Sequence, residues 1–162
     1  MKHIVWIAAL LFLPVWGFSQ PGLNALPQSL SASKIVSWKY VLKPVEGNVY
    51  QFTATAVIEK GYHIFHLDAG GDGTLINTEI TFNDGTETDG EWSVTPAPKV
   101  IQLDIIEGDI YWHEKAVSFS KTVALPEGVR MLSGSISYQV CNEEKCLPPA
   151  TLDFQVTSSS HK

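Results

Sequence analysis

Cys141 and Cys146 are the only cysteines in the 162-residue chain, and Asn142-Glu143-Glu144-Lys145 separates them. Thiols this close can form one bridge, whose chemistry is either passive cross-linking or thiol–disulfide exchange. Tyr138-Gln139-Val140-Cys141 reads as the end of a strand, and Cys146-Leu147 leads past Pro148-Pro149 into an alternating run ending at Val156. A four-residue hairpin loop would set the cysteines opposite each other, where paired Cα atoms lie roughly 4.5–5.5 Å apart, within disulfide reach. As a staple the bridge is weak. Closing so short a loop removes only about 2 kcal/mol of chain entropy in the loop-closure model. Sandwich domains with a structural disulfide usually tie strands that are distant in sequence. Lys145 would favour a thiolate at Cys146, while Glu143 and Glu144 would disfavour one. On spacing alone, staple and exchange site stand level.

Other groups offer less. His63, His66 and His113 could in principle meet Asp68 or Asp109 around a metal, but the spacing matches no ligand motif and no metal is expected. Asp68-Ala69-Gly70-Gly71-Asp72-Gly73 lacks the ligand series and closing Glu of a calcium loop and reads as a flexible turn. Phosphate-loop and nucleophile-elbow patterns are missing, so no cofactor is expected. The formal charge is −6, with the acids dispersed. Nucleic acid and anionic membrane surfaces, which select clustered Lys and Arg, are therefore excluded as partners.

The elements that must carry the pair are strands behind an export signal. Lys2 and His3 precede an apolar run, Ile4 to Leu13, that Pro14 breaks; Gly17-Phe18-Ser19 then supplies small residues at the −3 and −1 positions before Gln20. This is the pattern of a cleaved signal over residues 1–19. Its ten apolar residues fall short of the about 20 a membrane span needs. The mature chain is expected to be exported, not inserted in the membrane, and monomeric, in a compartment where disulfides persist. Residues 20–33 read as a flexible leader, 34–157 as one domain and 158–162 as a frayed tail.

Within the domain, apolar residues recur at every second position. Val36, Trp38, Tyr40 and Leu42 form one such series, and Tyr50, Phe52, Ala54, Ala56 and Ile58 form the next across the Pro44–Asn48 turn cluster. Further strands are expected over Tyr62–Leu67, Ile76–Phe82 and Val100–Ile106, and around Val117/Phe119/Val123, Ile136/Tyr138/Val140 and Leu152/Phe154/Val156. No helical stripe is evident. The fold class is all-β, a sandwich with an eight-stranded barrel as the competing architecture.

The stretch Tyr138-Gln139-Val140-Cys141-Asn142-Glu143-Glu144-Lys145-Cys146-Leu147-Pro148-Pro149 closely resembles the active-site segment of the N-terminal periplasmic domain of DsbD, the thiol:disulfide interchange protein. Lys60-Gly61-Tyr62-His63-Ile64-Phe65 is similar to that family's Gly-aromatic strand, and Asp109-Ile110-Tyr111-Trp112-His113-Glu114-Lys115 falls where the family has its cap loop. The resemblance covers about residues 34–156. It implies an immunoglobulin-like β-sandwich that relays reducing equivalents in the periplasm between thioredoxin-fold proteins, one as electron donor and one as acceptor. It also implies a partner-linked mixed disulfide at Cys146, a resolving role for Cys141, and a cap made by Asp109, Tyr111 and Trp112, with Tyr111 over the bridge. His63 and Phe65 would line the site, where the best-known members carry tyrosines; His63 could donate a hydrogen bond to a sulfur and Phe65 could not. Trp112-His113 replaces a smaller turn. The family's membrane-spanning and C-terminal thioredoxin-like parts do not follow Lys162, so a stand-alone domain is expected. The alternative is a non-catalytic exported binding or assembly module whose bridge only closes a hairpin.

Overall fold

A computed structural model describes residues 31–83 and 85–158. The expected signal, nearly all of the leader, and residues 159–162 of the tail lie outside the described residues.

Alternation builds the sheets. In β2 (Val49–Ile58), Tyr50, Phe52, Ala54, Ala56 and Ile58 are buried, while Gln51 and Val57 between them are exposed. β8 (Ala116–Ala124) does the same with Val117, Phe119 and Val123. The two pair antiparallel, with Ala54 opposite Phe119 and Ala56 opposite Val117. On the outer face, Thr53–Ser120 and Thr55–Ser118 join hydroxyls at 2.9 and 2.8 Å. β1 (Val36–Glu46) and β5 (Glu87–Thr95) complete this sheet in the order β1-β2-β8-β5.

A second sheet has the order β11-β9-β4, from Ala150–Thr157, Met131–Tyr138 and Glu79–Phe82. Its buried side chains, Leu132, Ile136, Tyr138 and Phe154, share one core cluster with Phe52 and Phe119 of the first sheet. Phe154 stacks on Tyr40 at 4.8 Å and on Phe52 at 5.1 Å between ring centroids. The sheets are separate layers about one core, which is a sandwich rather than a closed barrel.

The third sheet matters most for function. Its order is β10-β3-β7-β6, from Val140–Cys141, His63–Gly70, Ile106–His113 and Lys99–Leu103. After Gln139 the chain leaves the partner strands of β9 and joins β3, pairing Val140 with Ile64 and Cys141 with His63. This switch carries the first cysteine onto a different sheet, where Phe65, Ala69, Ile110 and Cys141 form a small cluster of their own.

Several local expectations change. The leader was expected to reach residue 33, yet Ala32–Ile35 forms a one-turn helix, α1; Ala32 and Ile35, three residues apart, both bury against the main core. Ser158, expected in the tail, still donates its backbone N–H to the Arg130 carbonyl at 2.9 Å. The apolar run Val100–Ile106 is not one strand: β6 ends at Leu103 and β7 starts at Ile106, with Asp104-Ile105 between them. β4 starts at Glu79, and Ile76 is exposed. β5 was not anticipated, because only Trp92 and Val94 along it are even half-buried and its alternation is weak. Among the described residues no helix is long and apolar enough to cross a membrane.

Candidate functional site

Cys141 and Cys146 are joined, with their Cα atoms 4.0 Å apart in an antiparallel bridge. The loop between them is held by its own polar groups. Asn142 donates its backbone N–H to the Lys145 carbonyl at 2.9 Å, and its Oδ1 accepts from the N–H groups of Glu144 and Lys145 at 3.0 and 2.9 Å. An Asn side chain satisfying the backbone two and three residues on is a standard way to tighten such a turn. At the base, Leu147 N–H donates to the Val140 carbonyl at 2.8 Å, and Gln139 Nε2 donates to the Leu147 carbonyl at 3.0 Å. The loop is thus hydrogen-bonded shut independently of the sulfurs.

The two cysteines differ in environment. Cys141 is 2% exposed within the small cluster, whereas Cys146 is exposed. Both line a cavity of about 500 Å³. His63 and Phe65 form one wall, projecting from the same face of β3 as strand alternation requires. Trp112, Ile110 and Ile106 come from β7, and Leu103 from the end of β6. The His63 imidazole stacks on the Trp112 indole with centroids 3.8 Å apart and meets Phe65 edge-on at 5.6 Å. Burial lowers the His63 pKa to about 4, against the opposing pull of Glu114. Glu114, also on the cavity wall, is held below the usual carboxylate range chiefly by a hydrogen bond from Lys99 Nζ at 2.6 Å.

The expected cap is divided by the pleat. Asp109-to-His113 is strand, not loop, so its side chains alternate between faces. Trp112 faces the cysteines. Tyr111 does not line the cavity; its ring lies against the backbone of Gly70, and Asp109 is exposed, its Oδ1 accepting from Gln102 Nε2 at 2.8 Å. A one-residue step along β7 thus puts Ile110 and Trp112, and not the Tyr111 between them, on the cavity wall. Sequence reasoning also missed the apolar rim of Leu75, Leu103 and Ile106. The available signal was a pair of large aliphatic residues bracketing the acidic turn position Asp104.

On the opposite face of the same strands, His66 Nδ1 and His113 Nε2 lie 2.9 Å apart, one ring donating to the other. His113 is 2% exposed and its pKa is lowered to about 4, by burial first and by His66 second. His63 and these two histidines therefore do not converge. Among the described residues no group of three or more His, Cys, Asp or Glu is placed to hold a metal ion.

Together these features define a class: a β-sandwich with a disulfide at the mouth of an apolar cavity, one cysteine buried and one accessible. The chain belongs to the family described as thiol:disulfide interchange protein DsbD, N-terminal, whose model matches residues 33–158. No curated protein sequence matches it. Among solved structures it is similar to the reduced DsbD N-terminal domain of Neisseria meningitidis, with a TM-score of 0.53 and 15% identity over 82% of this chain and 92% of that one. It is also similar to the N-terminal periplasmic domain of ScsB from Proteus mirabilis, with a TM-score of 0.59 and 12% identity over 84% of this chain and 50% of that one. The shared fold is the immunoglobulin-like β-sandwich. Family membership and a bonded cysteine pair support a role in thiol–disulfide exchange.

Proposed function

We propose that this chain is a periplasmic relay domain that passes reducing equivalents between thioredoxin-fold proteins through Cys141 and Cys146. The observation that carries this reading is the asymmetry of the pair, Cys146 exposed and Cys141 2% exposed, at the mouth of a cavity of about 500 Å³. Exchange proceeds by thiolate attack on a disulfide sulfur, so the accessible cysteine takes the partner and the buried one resolves. In the reduced domain a Cys146 thiolate attacks the partner's disulfide and expels one partner thiolate. Cys141 then attacks Cys146 Sγ, restores the intramolecular bridge and releases the second partner thiolate. Two electrons have moved from this domain to the partner. The reverse sequence, with a donor thiolate attacking Cys146, reloads the domain. The export signal over residues 1–19 supports the compartment.

A purely structural bridge has less to recommend it, because the Asn142 hydrogen bonds already close the loop. The test is Cys141→Ser incubated with an oxidised thioredoxin-fold protein. Attack by Cys146 with no resolving thiol should leave a covalent complex that dithiothreitol dissolves and Cys146→Ser cannot form. If no mixed disulfide accumulates across a range of redox buffers, the relay reading fails. An equilibrium titration adds a second readout: a potential below about −300 mV would mark a structural bridge.

A further inference from the structure

We propose that His63 is the proton acceptor for Cys141 in the resolving step, a deepening that rests on the exchange reading above. The starting observation is register: His63 is the residue paired directly with Cys141 across β3 and β10. Directly opposed residues of an antiparallel pair put their side chains on the same face, with Cβ atoms roughly 4.5–5.5 Å apart. Both line the one cavity, and the imidazole plane is fixed by its stack on Trp112 at 3.8 Å and its edge contact with Phe65. The ring therefore cannot swing away from the face that carries the sulfur without unstacking.

The chemistry requires such a group. A thiol buried in apolar surroundings ionises reluctantly, and Cys141 sits among Phe65, Ala69 and Ile110. Solvent has poor access to a residue 2% exposed. Yet the mixed disulfide is resolved only by a Cys141 thiolate. His63 meets the need because burial keeps it unprotonated at neutral pH, its pKa lowered to about 4 while the bridge is closed. Opening the bridge changes its surroundings, since a thiolate beside an imidazole favours the imidazolium. The carboxylates facing it act in the same direction: Glu114 beyond β7 and Glu143 in the cysteine loop line the cavity with it, and Tyr62 is a further titratable side chain there. In the step itself the Cys141 S–H bond breaks and its proton passes to a ring nitrogen of His63. The sulfur pair attacks Cys146 Sγ, the Cys141–Cys146 bond forms, and the Cys146–partner bond breaks. The departing partner thiolate then takes the proton from the imidazolium.

The experiment is a stopped-flow reaction of the reduced domain with dithiobis-nitrobenzoate, whose thiolate is coloured. Attack by Cys146 releases one equivalent, and resolution by Cys141 releases the second. His63→Phe keeps a ring to stack on Trp112, and His63→Gln keeps polarity without basicity. With the first release as the internal reference in each variant, the second should slow about 100-fold relative to it, a usual size for a lost general base. In the variants the second release should also acquire the pH dependence of thiol ionisation, rising steadily above neutrality, where the wild type is flat. A second release with wild-type rate and pH profile, in either variant that keeps the wild-type circular dichroism, overturns the role of His63. If instead the wild type completes both releases but never exchanges with a thioredoxin-fold protein, the relay reading falls and the proton transfer stands.

Discussion

Cys141 and Cys146 are chemically identical, and only their surroundings distinguish them. At the scale of single residues the difference lies in what covers the sulfurs. Trp112 lines the cavity, stacked on His63, while Tyr111 one position earlier packs on Gly70 across the strand. The two aromatic neighbours therefore make opposite forecasts. Trp112→Ala should speed reduction of the bridge by dithiothreitol several-fold, at a stability cost of roughly 2 kcal/mol for losing a half-buried indole. Tyr111→Ala should leave that rate where it is. Reversal of the pair, with Tyr111→Ala fast and Trp112→Ala unchanged, would return the cap to Tyr111. The cysteine pair stood out in the sequence by its spacing, while His63 and Phe65, which line the cavity with it, were expected there from the resemblance alone. Which aromatic faces the bridge was not legible, because family position alone cannot tell one face of a strand from the other.

At the scale of elements, the site exists because β7 lies close over β3. The central strands β2, β8 and β9 could be read from alternation alone, since Phe52, Phe119 and Ile136 each sit in a clean period-2 series and each is fully buried. In the third sheet only β3 was anticipated as a strand of its own. β6 and β7 bury only Ile110 and His113, so Asp109–Lys115 was expected as a cap loop from its family position, and Val100–Ile106 looked like one strand because both arms of a tight hairpin are apolar. The contact that locks this layer is at Gly70, paired with Ile110 and held at φ +69°. A Cβ there would collide with the Asp109 carbonyl and the Tyr111 ring. Gly70→Ala should therefore push β7 off β3, costing about 1–3 kcal/mol by overpacking and more from the left-handed backbone. Because Gly70 pairs with Ile110, which lies in the small cluster and not in the main core that β2 and β8 share, the damage should stay local. Amide exchange should accelerate in β7 and β6, and small thiols should reach the bridge faster, while β2 and β8 keep wild-type protection. Uniform loss of protection across all three sheets would show that the third layer is not a separate unit.

For the molecule as a whole, three histidines withdrawn from water make stability depend on pH in a particular window. His63 and His113 are lowered to about 4, in each case first by burial, and His66 is also lowered, burial outweighing Asp68. In the unfolded chain all three return to about 6.5. Between these limits the unfolded chain binds more protons than the folded one, so stability rises with pH. The contribution is whole above about 6.5 and is lost as pH falls towards about 4. The depressed carboxylates, Glu114 and Asp72, act lower: their contribution is present above the unfolded carboxylate value and is lost only beneath it. The histidines should therefore dominate the first part of an acid titration. The His66–His113 hydrogen bond steepens it, because a bond with one ring donating and one accepting cannot survive protonation of both rings. The urea midpoint, followed downward from pH 7.5, should begin its decline at about 6.5, well above the range in which carboxylates contribute. His113→Gln should be less stable at neutral pH for losing a buried ring but should show a shallower decline, having one fewer proton to take up. A midpoint that stays flat down to about 4.5 would mean that the rings are hydrated in solution. The closed packing of β3 against β7 over the disulfide would then be wrong.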